Sequence, residues 1–276
     1  GLEHTGTFTG DRNVFIRDVG GKKIGIVAYT YGTNAFDNNI YLSKNSKSKI
    51  CLLQNQELSN PFIYHLYNSK KIFYRALRKI SKIFNLFQIN IPVFERIEKS
   101  LISNLLSDIK QLKEQADYTI VLLHDGGQNN DSPIKRICHN INKISMLQPN
   151  AIIGNHEHMI HKMELVNNNI ITYSIGNFTG TNGVIEEPYD KMQEYSVGLN
   201  IYLNNDEIKY SYVVFKNVEC ADGKVRVCLL YDLIKNEEDS KTKLNLIGDL
   251  KKIVKKLELP VENVDDISYE YMIKEN

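Results

Sequence analysis

Three apolar runs that break off abruptly into polar, Gly-containing sequence constrain this chain more than any other feature. Leu122-Leu123 runs into His124-Asp125-Gly126-Gly127. Ala151-Ile152-Ile153 runs into Gly154-Asn155-His156-Glu157-His158, and Tyr173-Ser174-Ile175 runs into Gly176-Asn177-Phe178. The first two runs are short, continuous and rich in β-branched residues, which suits strands buried on both faces. Open α/β sheets build their ligand sites just past the carboxyl ends of such strands. The pattern therefore places His124, His156, His158 and Asn177 where a site would form, and three imidazoles at strand ends suit zinc or another transition metal.

The intervening sequence supports an α/β reading. Ile97, Leu101, Leu105, Ile109 and Leu112 recur every three or four residues and predict a helix feeding a strand over 118–123. Asp131-Ser132-Pro133 reads as a helix start. Ile134, Ile137, Cys138, Ile141 and Ile144 form the buried stripe of that helix, which leads into a strand over 151–153. Upstream, residues 14–19 and 24–29 flank Gly20-Gly21 and predict a β-hairpin. Downstream, 195–203 and 208–215 predict a second hairpin, and 225–230 a further strand. Residues 235–243 read as a charged linker, 246–257 as a short helix, and the acidic tail after Pro260 as weakly ordered.

Length and charge bound the remainder. The 276 residues suffice for one large domain or two small ones. A net charge of +1 gives no global pull toward nucleic acid. No apolar run reaches the ~18 residues a transmembrane helix needs. The first Met is Met146 and the chain opens at Gly1, which leads to the expectation of a preceding N-terminal portion carrying any export signal or anchor. Cys51, Cys138, Cys220 and Cys228 include no CxxC pair. A hairpin around Asp222-Gly223 could bring Cys220 and Cys228 together, but free thiols are the simpler reading.

A polar excursion over about 35–95 contains one distinctive segment. From Lys70 to Phe87, apolar residues recur at helical spacing among Lys70, Lys71, Arg75, Arg78, Lys79 and Lys82, with no acidic residue between Glu57 and Glu95. Such a segment can lie on an anionic membrane surface. The plainer reading is a helix with its apolar face on the domain and a solvated basic face.

The candidate site residues carry alternatives. On an extended strand the two rings of His156-Glu157-His158 share one face; on a loop they can bracket two metals. Gly126, Gly127 and Gly154 suit close backbone approach to a ligand or ordinary turns. Asn177 could orient a water or an anionic oxygen, or simply close a turn after Gly176. Glu157 could support a histidine or be an exposed charge. His139 and His161 read as surface residues, and His4 and His65 have no chemical context. Gly10-Asp11 reads as a turn.

Taken together and in order, His-x-Gly-Gly at 124–127, Gly-x-His-x-His at 154–158 and Tyr-Ser-Ile-Gly-Asn-Phe at 173–178 resemble the bacterial capsule synthesis CapA family, also called poly-γ-glutamate synthesis PgsA-type proteins. That family is similar to the calcineurin-like metallophosphoesterases. His4-Thr5-Gly6 and Tyr29–Asn34 also resemble its middle portion. Gly154-Asn155-His156-Glu157 resembles the Gly-Asn-His-Glu motif of ordinary phosphoesterases as well, but the order of the motifs favours the capsule family.

The resemblance implies a metallophosphoesterase-like α/β sandwich of two mixed sheets flanked by helices. Its domain would be the C-terminal portion of the family unit over 1–182, with an insertion at about 35–95. A β-rich continuation over 183–234 would follow, then a linker, helix and acidic tail over 235–276. The resemblance implies His124, His156 and His158 as ligands of a divalent Mn, Fe or Zn ion, with Asn177 at the edge of that site. It further implies an anionic polymer or phosphoester substrate, polymer synthase subunits as partners, and a location at the cell envelope. The family's Gly-Asp and Asn-Asn-His motifs are not found in their expected context before His124, so the carboxylate half of a two-metal shell is unmatched. A non-catalytic protein that binds the polymer or its synthase is the alternative role.

Overall fold

Strand β1 (Phe15–Val19) turns back into β2 (Lys22–Thr30) with Phe15 opposite Ile26 and Val19 opposite Lys22. Gly20 and Gly21 form the two-residue turn, both at positive φ, the conformation a tight hairpin of this twist demands. This computed structural model describes residues 3–9, 14–33, 46, 49–53, 76, 92–126, 129–180, 191–204, 207–261 and 266–274, with the backbone alone at 92–100 and 191. The fold is mixed α/β, with two sheets and, among the described residues, four helices.

The chain divides into two units, 1–123 and 124–276. In the first, strand order is β1-β2-β3, with β3 at Tyr118–His124. Helix α1 (Pro92–Gln115) buries Leu105, Ile109 and Leu112, three of the five residues in the stripe its spacing predicts. A side chain at Gly25 would come within 2.7 Å of Leu112, so the bare backbone of β2 is what lets α1 approach so closely. The excursion over 35–95, the segment Lys70–Phe87 and Gly10-Asp11 lie, apart from isolated positions and the first turn of α1, outside the described residues.

In the second unit, α2 (Lys135–Ser145) buries Ile137, Ile141 and Ile144 and precedes β4 (Ala151–Asn155). Strand β4 pairs in parallel with β6 (Asn169–Thr172), and β5 (Met163–Val166) pairs antiparallel with β6. The β5–β6 turn is Asn167-Asn168, both at positive φ, which Asn tolerates better than most residues. The second sheet is built on β8 (Glu207–Glu219), flanked antiparallel by β7 (Tyr195–Asn204), β9 (Val225–Leu229) and β10 (Tyr271–Met272). Helices α3 (Leu230–Asn236) and α4 (Ser240–Leu257) complete the unit.

Three local expectations are corrected. Most of 235–243 is helical, not linker: α3 runs to Asn236, and Asp239 caps α4 by accepting the Thr242 N–H at 2.8 Å. A capping carboxylate satisfies a donor the first turn leaves free, and Leu250, Ile253, Val254 and Leu257 bury the inner face. The described part of the tail after Pro260 is packed against the fold. Val261 bridges Ile273, and Tyr271 is 2% exposed and stacked on Tyr212 at 5.2 Å. Helix α2 starts at Lys135 rather than beside Asp131: its N-cap is Ile134, in extended conformation with no side-chain cap, and the Asp131 carboxylate pairs instead with Lys256 Nζ at 2.7 Å. All four cysteines are free. Among the described residues no helix is long and apolar enough to cross a membrane.

Candidate metal centre

The three polar strand ends lie side by side. The Asp125 N–H donates to Asn155 O at 3.0 Å, joining the stretch that opens at His124 to the end of β4. The Ile175 N–H donates to Gly154 O at 3.2 Å, which adds the stretch after β6. Glycine at 154 is required by a neighbouring strand rather than by a ligand: a Cβ there would stand 2.3 Å from Tyr173 O. At Gly126 a Cβ would fall 2.9 Å from the Glu157 carboxyl carbon, so this glycine makes room for Glu157. Gly127 lies outside the described residues.

His156 and His158 sit on a turn, not on an extended strand. Their φ values are 118° and 58°, a region that L side chains rarely occupy and that costs on the order of 1–3 kcal/mol per residue. Such strain persists where the surrounding structure over-determines it, and it concentrates at functional sites. The turn brings the rings together. His124 and His156 meet edge-on with centroids 4.6 Å apart, and His156 and His158 stand 6.0 Å apart.

The protonation of these rings follows from their partners. Asn177 Nδ2 donates to Gln193 O at 3.1 Å and to His158 O at 3.4 Å. Its Oδ1 is therefore the acceptor facing His158 Nδ1 at 2.6 Å. That assignment puts the proton of neutral His158 on Nδ1 and the lone pair on Nε2. Burial lowers the pKa of His156 to about 4, and the charges of His124, His158 and Arg136 push the same way. Burial first, and His158 second, lower that of His124. At neutral pH, His124 and His156 are unprotonated nitrogen donors. Asn177 is buried, its amide held by His158 and Gln193 and its backbone carbonyl by Asn217 Nδ2 at 3.1 Å. In this arrangement it orients His158.

Further groups at the site are buried. Asp125, 3% exposed, is paired with Arg136 Nη1 of α2 at 2.7 Å. Burial raises its pKa, and the Arg136 charge and hydrogen bond oppose that rise. Arg136 could not be singled out in advance, since nothing in the sequence marks which helix residue faces the strand ends. Glu157 is 1% exposed, not a surface charge, and accepts from Asn130 Nδ2 at 2.9 Å. His161 is likewise buried rather than on the surface, its Nε2 donating to Asn130 O at 2.7 Å. His139 is exposed as expected, and His4 meets Thr7 at an exposed position. His65 lies outside the described residues.

Two of the nitrogens stand at a spacing that a divalent metal accepts. Two ligands of one tetrahedral ion, each about 2.0–2.1 Å from it, stand about 3.4 Å apart; His124 Nε2 and His156 Nδ1 are 3.3 Å apart. Metal binding requires neutral imidazole, and burial keeps both rings neutral. The set is not complete, however. Among the described residues no three His, Cys, Asp or Glu side chains converge closely enough to hold an ion as they stand, and the Asp125 carboxylate is committed to Arg136.

No curated protein matches the chain. Among solved structures, a putative 5'-nucleotidase from Staphylococcus aureus, in complex with alpha-ketoglutarate, is similar at 12% identity and a TM-score of 0.31. The similarity covers 82% of this chain and 30% of that one, so the chain spans under a third of that protein's length. A family model described as bacterial capsule synthesis protein PGA_cap matches residues 1–182, the stretch that holds His124, His156, His158 and Asn177. With 182 of its 276 residues matched, the chain belongs to the bacterial capsule synthesis protein family PGA_cap.

Proposed function

We propose that the protein acts in making capsule polymer at the bacterial cell envelope, as a metal-dependent hydrolase or transferase at a phosphoester or polymer bond. The polymer is poly-γ-glutamate or a similar polyanion, and polymer synthase subunits are the partners. The observation that carries this reading is the apposition of two neutral imidazole nitrogens, His124 Nε2 and His156 Nδ1, beside a His158 whose tautomer Asn177 sets. His124, His156 and His158 would hold a Mn, Fe or Zn ion. Bound there, the ion supplies a Lewis acid and a water whose pKa falls toward neutrality.

The chain's own residues do the rest. Burial keeps His156 free of a proton that would compete with the ion. Asn177 holds the His158 ring in one orientation. The Asp125–Arg136 pair leaves a guanidinium close enough to His156 to depress its pKa, a fixed positive charge beside a centre that would act on anions. Asp125 keeps that charge in place.

A second reading, a non-catalytic envelope protein that binds the polymer or its synthase, is favoured by the incomplete ligand set among the described residues. Elemental mass spectrometry separates the two. The protein is expected to carry a divalent metal that is lost on His156→Ala with His158→Ala, and the loaded form is expected to cleave aryl phosphates. Absence of metal from both forms would overturn the catalytic reading in favour of the binding role.

A further inference from the structure

The polar groups around the His156–His158 turn form a closed circuit. The Asn129 N–H donates to Glu157 O at 2.8 Å. Gln193 Nε2 donates to Asn129 Oδ1 at 2.6 Å. Asn177 Nδ2 donates to Gln193 O at 3.1 Å, and His158 Nδ1 donates to Asn177 Oδ1 at 2.6 Å. The peptide bond between Glu157 and His158 closes the ring. Each link joins a different piece of chain: the loop after β3, the histidine turn, the stretch after β6, and the 3₁₀ turn Lys191–Glu194 that leads into β7.

Gln193 is the member of this circuit that lies beyond residues 1–182. It is 1% exposed, and its Oε1 is buried with no hydrogen-bond partner among the described residues. A buried amide that leaves its acceptor unmet calls for an explanation. Here its donor and its backbone carbonyl serve two different links at once. The side chain pins the 191–194 turn to the loop after β3, and the carbonyl of that pinned turn holds Asn177.

We infer that Gln193 is a positioning residue of the histidine centre, holding Asn177 so that His158 stays in the Nδ1–H tautomer with its Nε2 lone pair available. The 3₁₀ turn before β7 is then part of the site, although the family match stops short of it. The inference rests on reading the histidine cluster as the functional centre, but its primary readout does not depend on metal or activity.

The test is long-range ¹H–¹⁵N NMR of the histidine rings in the folded, metal-free protein. Native His158 is expected to show one Nδ1–H tautomer. Gln193→Glu keeps the shape and loses the donor; Gln193→Met loses both polar ends. Either is expected to shift the His158 nitrogens toward the values of a mixed tautomer, with native-like far-ultraviolet circular dichroism. An unchanged His158 signature in a folded variant overturns the inference. If both variants unfold, Gln193 is a stability element only, which also overturns it. Titration with Zn²⁺ or Mn²⁺ adds a separate readout, with an expected affinity loss of about 10–100-fold. A changed tautomer in a protein that binds no metal in any form would leave Gln193 positioning His158 while removing the catalytic reading, so the two failures are distinguishable.

Discussion

Replacing His156 by Gln should flatten the acid sensitivity of this fold. Burial, helped by His124, His158 and Arg136, brings the pKa of His156 down to about 4 from an ordinary value of 6.5. Between pH 6.5 and 4 the unfolded chain therefore takes up a proton at position 156 that the folded protein refuses. The unfolded state binds more protons, so stability falls as pH falls across that window. At 1.36 kcal/mol per pH unit, lowering the pH from 7.5 to 4 removes about 3 kcal/mol through this residue. His124 and His161 are depressed by burial and act with the same sign. Asp125 is raised by burial and acts oppositely, its cost being relieved as acid protonates it. These contributions are largely common to both proteins, so the difference between native and His156→Gln isolates position 156. Urea denaturation in chelator at pH 7.5 and 4 measures it. The native protein should lose about 3 kcal/mol more than the variant, and parallel losses would refute the assignment of a buried, neutral His156.

Gly154→Ala should cost about 3 kcal/mol or more, because the added methyl meets the backbone oxygens of Tyr173 and Thr172, which no rotamer change can move. A urea midpoint within experimental error of native would count against the close β4–β6 contact. Arg136→Met should cost about 3 kcal/mol at neutral pH by leaving Asp125 buried without its partner. Adding Asp125→Asn, or lowering the pH to protonate Asp125, should recover much of that loss; denaturation of the single and double variants checks it. Tyr271→Ala should cost about 3–5 kcal/mol through the lost stack on Tyr212 and the vacated volume. A cost within about 0.5 kcal/mol, typical of a surface substitution, would mean that the tail does not hold as the fourth strand of its sheet.

The elements that the sequence made legible are those whose logic is local. The stripe Ile137, Ile141 and Ile144 sits at helical spacing, and the helix found there buries those three residues. The runs over 118–123 and 195–203 are close to the strands Tyr118–His124 and Tyr195–Asn204. The strand ends, and with them the histidines, follow directly. What stayed hidden depends on partners far along the chain. Tyr271 reads as part of an acidic tail until Tyr212 is found beneath it. Glu157 stays open between a support for a histidine and an exposed charge until Asn130 and the space left by Gly126 make a buried carboxylate tenable. Gln193 looks like any polar residue before a strand, because its two partners are 64 and 16 residues away. The same division runs through the chemistry. Sequence order shows which nitrogens can gather at the strand ends, whereas the proton on His158 is decided by the Asn177 amide, which the Gln193 carbonyl holds while Asn217 holds the Asn177 backbone. Motif matching therefore identifies the candidate ligands and overlooks the residues that keep their lone pairs available. A chain that kept all three histidine motifs but lost the amide at 193 would still match the family and would hold a loosened centre.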